Sequence, residues 1–260
     1  MKLIQFPLTI LVSSTVLLWG FSPSLPSIMA QPLELENESR DNPLIIFNRP
    51  DAPDRGSPRE GVGEGSGTYG LCSRDETTTA FLPLSALVLE NPEQYEVWAT
   101  TTSARPTLWF YVPYEAGAWV EFILQDEQGK QVHDPIRFQL QQTPGIVGLK
   151  LPDTVTLDRG QLYHWFFKIK CDIEESTDDY VEGWLEHYPP LEQPLDDLTA
   201  LERAQLYADE GVLLETLTEL GRLYYANPND AAIASYWQQL LEQIDRSHLT
   251  QEPIVEILGD

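Results

Sequence analysis

Leu157-Asp158-Arg159-Gly160-Gln161-Leu162-Tyr163-His164-Trp165-Phe166-Phe167-Lys168-Ile169-Lys170-Cys171 is the stretch that decides the fold class. A Gly turn leads into a run rich in aromatic and β-branched residues. At the period of two that a strand imposes, Tyr163, Trp165, Phe167, Ile169 and Cys171 share one face, and His164, Phe166, Lys168 and Lys170 share the other. The first set is expected to face a core. Runs of the same character, each too short for a typical helix, recur at residues 84–89, 107–112, 119–125, 131–140, 146–151, 162–171 and 180–188. About seven strands in about 110 residues predict an antiparallel β-sandwich or barrel, placed at residues 79–190. Between two of these runs, Asp126-Glu127-Gln128-Gly129 supplies a Gly where a hairpin turn needs positive φ.

In immunoglobulin-like sandwiches a Tyr near the start of the sixth strand returns its hydroxyl to the corner before it. Leu157, Gly160 and Tyr163 resemble that corner as fibronectin type III-like domains display it, which implies a sandwich of that kind. Trp98, Trp109, Tyr111, Tyr114, Trp119, Trp165 and Trp184 are numerous enough to serve either a core or a carbohydrate-stacking face. Core packing is the default, because large aromatics dominate buried area. Trp109 and Tyr111, which flank Phe110 and point outward by parity, form the candidate interaction surface.

Upstream of this body, Met1-Lys2, an apolar run over residues 8–21 and Ser27-Ile28-Met29-Ala30 have the three parts of a secretory signal peptide. The apolar run falls short of the roughly 20 residues a spanning helix needs. Cleavage after Ala30, leaving Gln31 first, is therefore the expectation, with export to the periplasm or beyond the cell and no membrane insertion afterwards. No Cys follows the run to carry a lipid. The mature chain has 15 Lys+Arg against 41 Asp+Glu, a net charge of −26. A surface so acidic repels nucleic acid and anionic lipid. Its acids are spread along the chain, as solubility alone requires, although cations or basic partners are also attracted by them.

Residues 31–78 are crowded with Pro and Gly and predict an extended or disordered lead. Gly65-Ser66-Gly67-Thr68-Tyr69-Gly70 matches GxGxxG but lacks the preceding strand and following helix that nucleotide binding requires. Cys72 and Cys171 are the two cysteines. In an oxidising compartment they read as one disulfide, the alternative being two thiols. Closing a loop of about 100 residues stabilises a fold by up to roughly 4.7 kcal/mol in the chain-entropy account.

The remaining motifs are mostly negative. HExxH and GxSxG are absent, and the four His residues show no metal-ligand spacing. The acidic stretch 172–179 offers Asp172, Glu174, Asp178 and Asp179 as calcium candidates, yet it lacks EF-hand spacing and reads equally as a solvated hairpin loop. After Pro189, Pro190 and Pro194 the apolar period becomes helical, predicting a helical tail over residues 195–250. Two antiparallel helices joined near Gly211 and a third after Asn227-Pro228-Asn229-Asp230 fit the pattern. Tyr207, Gly211 and Pro228 resemble the spacing of a tetratricopeptide repeat, which implies either a peptide groove or a structural cap.

Several blocks in one order carry a wider resemblance: Arg55-Gly56-Ser57-Pro58-Arg59, Arg105-Pro106-Thr107-Leu108-Trp109-Phe110-Tyr111-Val112-Pro113, Pro144-Gly145-Ile146-Val147, Val181-Glu182-Gly183-Trp184 and Ala226-Asn227-Pro228-Asn229-Asp230. Together they resemble the cyanobacterial domain-of-unknown-function 928 family. That resemblance implies export and no established activity, and it brings no catalytic residue. Two expectations follow. One is a non-catalytic extracytoplasmic module that binds a protein or an envelope polymer. The other is a hydrolase acting on envelope polymer through carboxylates such as Glu121, Glu182 or Glu186.

Overall fold

Alternation of buried apolar and partly exposed side chains along strands such as 162–170 goes with two stacked sheets, with helices laid over one of them. The computed structural model describes residues 45–53, 61–65, 82–172 and 179–259. Within them lie the strands β1 (Ser85–Ala86), β2 (Leu89–Asn91), β3 (Glu96–Thr101), β4 (Thr107–Val112), β5 (Trp119–Asp126), β6 (Ile136–Gln139), β7 (Gly145–Lys150), β8 (Leu162–Lys170), β9 (Asp179–His187) and β10 (Ile254–Leu258). The helices are α1 (Ala200–Asp209), α2 (Leu213–Ala226) and α3 (Ala231–Gln243). The chain is thus mainly β with three C-terminal helices. The expected signal peptide over residues 1–30, the GxGxxG match beyond Gly65, Cys72, Glu174 and Asp178 lie outside the described residues.

One sheet has the order β2-β3-β9-β8-β5-β6 and the other β1-β4-β7-β10. The expectation of an antiparallel arrangement needs correction. β3 runs parallel to β9, and β10 runs parallel to β7, so both sheets are mixed. Each parallel pair joins strands far apart in sequence, a pairing that needs a crossover rather than a hairpin. The turn at Asp126 forms as its residues predict: Gly129 has a φ of +78°, and the Asp126 carboxylate accepts from the N–H groups of Gln128 and Lys130.

Strand β8 shows the predicted alternation. Tyr163, Trp165, Phe167 and Ile169 are buried, while His164, Phe166, Lys168 and Lys170 remain partly exposed. Across the gap between the sheets, Phe110 stacks on Phe167 at 3.9 Å and meets Trp165 at 5.7 Å. At the corner preceding β8, the Tyr163 hydroxyl accepts from the Asp158 N–H at 2.7 Å.

The other face of β4 belongs to the helices. Trp109 packs its ring 5.9 Å from that of Trp237 on α3, and its Nε1–H donates to Thr218 Oγ1 on α2 at 3.2 Å. Thr199 and Glu202 close a capping box at the start of α1, and the Asp230 carboxylate accepts from Ala232 and Ile233 N–H at the start of α3. Helices and sheets share a single hydrophobic cluster, in which Leu213, Leu217 and Leu220 join Trp109 and Phe110.

Two described pieces of the lead depart from the disorder expected of residues 31–78. Ile45 and Phe47 are buried in the common core. Gln243 straps them to α3, its side-chain oxygen accepting from Phe47 N–H and its amide donating to the Ile45 carbonyl, both at 2.8 Å. Val62 bridges to Glu182 of β9 and Glu64 to Ser85 of β1, so the segment 61–65 links one sheet to the other. A Cβ on Gly63 would run into the Glu90 carboxylate and come within 3.1 Å of Arg246 Nη2, so only glycine threads this passage. Gly61, Gly63 and Gly65 therefore mark close approach here rather than an absence of packing.

Candidate functional site

Where the β3–β4 connection, the end of β7, the loop after β9 and the helices α1 and α2 meet, the surface opens into a cleft of about 420 Å³. That volume is ligand-sized. Its walls come from five stretches of sequence: residues 102–107, Lys150, Pro190 to Leu195, Tyr207, and Glu215 to Arg222.

Glu215, in the first turn of α2, has the most altered chemistry there. Its carboxylate accepts from Thr101 Oγ1 at 2.6 Å and from Thr102 N–H at 3.2 Å. Removal from water pushes its carboxyl up to about 7, with those hydrogen bonds pulling the other way. Beside it, the Tyr207 hydroxyl is raised by burial first and then by the charges of Glu215 and Glu219. One turn further along α2, Glu219 is clamped by the Arg203 guanidinium through a fork of two bonds at 2.9 and 2.7 Å. This pairing lifts the Arg203 guanidinium further.

The cleft lining departs from the charge balance of the chain. Against 41 acids and 16 Lys+Arg overall, its lining has Arg105, Lys150 and Arg222 against Glu215 and Glu219. Glu219 is already matched by Arg203, and Glu215 is held in balance with its neutral form. Arg105 carries an ion pair with Asp153 at the rim. The lining is therefore richer in basic side chains than the chain as a whole.

The residues singled out by sequence fall elsewhere. Trp109 and Tyr111 do point away from the inter-sheet core, but α2, α3 and the segment before β10 cover that face, leaving them 1% and 3% exposed. They are not a free interaction surface, because parity along a strand tells which way a side chain points and not what lies over it. Trp98, Tyr114 and Trp165 are also buried, whereas Trp119 and Trp184 stay partly exposed on the outer face of the six-stranded sheet. On that face His164 stacks on Trp184 at 4.4 Å, and Arg49 lies 5.8 Å over Trp98.

Asp179 is turned inward and accepts from the Tyr114 hydroxyl at 2.7 Å, while Asp172 is exposed. Among the described residues no group of three or more His, Cys, Asp or Glu is arranged to hold a metal ion. Glu121 is paired with Arg137 at 2.6 Å, and Glu182 lies 3.1 Å from His164 Nε2. Glu121 faces Lys168 across β5 and β8, whereas Glu182 faces Phe166 across β8 and β9. Two strand steps and two residues apart, their backbones stand roughly 12 Å from each other at ordinary strand spacing. Cys171 follows β8 directly.

The sequence matches the family described as Domain of Unknown Function (DUF928) over residues 65–254. The chain belongs to that family. The DUF928 match takes in β1 to β9, all three helices and every residue lining the cleft. The packed piece 45–53 precedes it. A comparison with curated proteins finds no match. Among the described residues no helix is long and apolar enough to cross a membrane.

Glu215 and Arg222 escape a reading of sequence because they lie in a helical stretch where each has an ordinary surface or core role, and Tyr207 is legible there only as a repeat-like helix position. The one signal available was local: a Glu four residues after Gly211 follows the break between two apolar helical runs.

Proposed function

We propose that this DUF928 chain is an exported, non-catalytic binding module, and that the cleft beside α2 is where it holds a ligand or a segment of a partner. The observation that carries this reading is the cleft itself: ligand-sized, walled by five chain segments, and richer in basic side chains than the rest of the protein. Export rests on the tripartite N-terminus ending at Ala30, and the binding class on the absence of a nucleophile or metal motif in the sequence. The hydrolase alternative requires two carboxylates that converge on one substrate. Glu121 and Glu182 sit on a sheet face, each engaged with a basic partner, which supports binding over hydrolysis.

Two finer structural readings belong to the same proposal. The Tyr163 to Asp158 hydrogen bond favours an immunoglobulin-like or fibronectin type III-like sandwich. The short link between α1 and α2, with Tyr207 buried near it, favours a tetratricopeptide-like hairpin serving as a cap and as one wall of the cleft. A Cys72–Cys171 disulfide completes the reading of an exported chain.

The test uses mature protein beginning at Gln31, screened against envelope glycans and peptides beside Arg222→Ala and Leu191→Trp variants. Binding that both variants lose supports the module. Turnover of any substrate, abolished by Ala at Glu121, Glu182 or Glu186, would replace it with the hydrolase. Export is checked by the N-terminal sequence of protein recovered outside the cytoplasm, an intact Met1 there counting against it. Intact mass after alkylation without reductant tests the disulfide, two added labels on folded protein excluding it.

A further inference from the structure

We propose that the groove between the α1–α2 link and the end of α3 is a docking site for an extended segment of a partner protein, one with an aliphatic, an aromatic and an Arg side chain at alternate positions. Residues 45–49 of the chain fill that groove as a built-in competitor. None of these residues lines the cleft beside α2, and the inference does not depend on it.

The segment is held as a bound peptide is held. Ile45-Ile46-Phe47-Asn48-Arg49 belongs to no helix or sheet. Its backbone is read by a side chain, the Gln243 amide accepting from Phe47 N–H and donating to the Ile45 carbonyl, both at 2.8 Å. Asn48 N–H donates to the Ala208 carbonyl at 2.9 Å, and the Asn48 side chain to the Asp209 carbonyl at 2.7 Å. Ile45 and Phe47 turn inward, to 1% and 6% exposure, while Ile46 between them is 58% exposed. Main-chain hydrogen bonds with alternate side chains in pockets are how extended peptides are recognised. Gly211 is fitted to the passage, because a Cβ there would stand 2.7 Å from the Asn48 carbonyl oxygen. Ala208, Asp209, Gly211 and Gln243 all lie within the family match, whereas the segment they hold lies outside it.

Charge selects a basic partner. Arg49, two residues after Phe47, pairs with Asp245 at 2.8 Å, donates to the Glu90 carbonyl and lies 5.8 Å over the Trp98 ring. In a chain of net charge −25, a cation here is drawn by the whole molecule as well as by Asp245. The anchors are few enough for exchange. Two buried side chains and a short set of hydrogen bonds oppose the entropy of fixing the stretch, which places it at the low end of local stability.

The test uses the full mature chain from Gln31, with a specific protease site placed within residues 54–60 and a labelled peptide of residues 43–53 as probe. After cutting and dialysis, fluorescence anisotropy should show saturable peptide binding, at least about tenfold tighter than to the uncut chain, whose tethered lead competes. Phe47→Ala in the peptide should weaken binding about tenfold. Arg49→Glu should weaken it too, with a difference that shrinks as salt rises. Arg222→Ala and Leu191→Trp in the protein should leave it unchanged. In the uncut chain, the Phe47 and Asn48 amides should exchange hydrogen faster than those of β8. A lead that stays in place after cutting and does not exchange with peptide makes residues 45–49 part of the core and overturns the proposal, as does a cut chain that loses its cooperative thermal transition. Equal binding of a scrambled peptide overturns it as well. An uncut chain that light scattering shows to be a dimer with exchanged leads assigns the groove to a second copy and overturns the partner.

Discussion

Arg246, just beyond α3, forms an ion pair with Glu90 of β2 while its own side chain is 2% exposed. Its Nε–H also donates to the Ala86 carbonyl at 2.9 Å, so one guanidinium ties the end of the helical layer to both β1 and β2. Asp245 next to it pairs with Arg49 of the lead at 2.8 Å. Breaking such a pair from one side leaves a buried group without its partner, at a cost of about 3–5 kcal/mol.

Arg246→Ala is therefore expected to lower unfolding stability by an amount in that range, measured from urea midpoints. Glu90→Ala leaves the 2%-exposed guanidinium without its counter-charge and should cost a comparable amount, with the double variant losing less than the sum of the two. Strictly additive losses would show that the pair is not what anchors this corner.

Burial of Trp109 beneath the helices makes it a core position. Trp109→Ala should destabilise the fold by about 3–5 kcal/mol. A Cβ on Gly221 would sit 2.7 Å from Trp109 Cη2, so Gly221→Ala should cost about 1–3 kcal/mol through overpacking despite the better helix propensity of Ala. Thermal scans of both variants check this, and a stabilised Gly221→Ala would mean that α2 stands further from the sheet.

Tyr163→Phe keeps the buried ring and removes the acceptor for the Asp158 N–H. The expected loss is about 1 kcal/mol, with faster hydrogen exchange confined to the Asp158 amide and its neighbours. Unchanged exchange at Asp158 would contradict the bond.

Glu215 gives the fold a pH dependence of known sign. Its carboxyl is raised in the folded protein to about 7 from an ordinary value of 4.5. Between those values the folded state binds more protons than the unfolded one, so this contribution is complete below about 4.5 and is lost as pH rises through about 7. The cleft leaves part of the residue open to water, which reduces the effect. Melting temperatures of the wild type relative to Glu215→Gln should fall between pH 5 and 8. A constant difference across that range would remove the assignment.

The β8 stretch was legible because one residue in two is aromatic or branched, and its period fixes both faces at once. Strand β3 was not, since Glu96–Thr101 ends in a polar Thr pair whose hydroxyls turn to α2 rather than to the sheet core. Strand β10 was missed for a different reason: nothing in Ile254–Leu258 signals that its partner lies more than 100 residues earlier. Arg246 reads as a surface residue by its charge, and only the tertiary fold supplies Glu90. The helices were readable from apolar spacing, but the cleft was not. Its cations and carboxylates are distant in sequence, and a chain with 41 acids offers no means of choosing Glu215 among them.

β10 bears on how the molecule is made. The strand that completes the four-stranded sheet lies beyond all three helices and aligns with β7 from Ile146 to Leu149. A chain emerging N-terminus first from a ribosome or a membrane pore cannot finish that sheet until residue 258 is clear, however early β4 and β7 meet. Until then the edge of β7 is an open template for other strands. Closure of this sheet is therefore the last step that the order of the described elements allows, a delay imposed by topology rather than by stability.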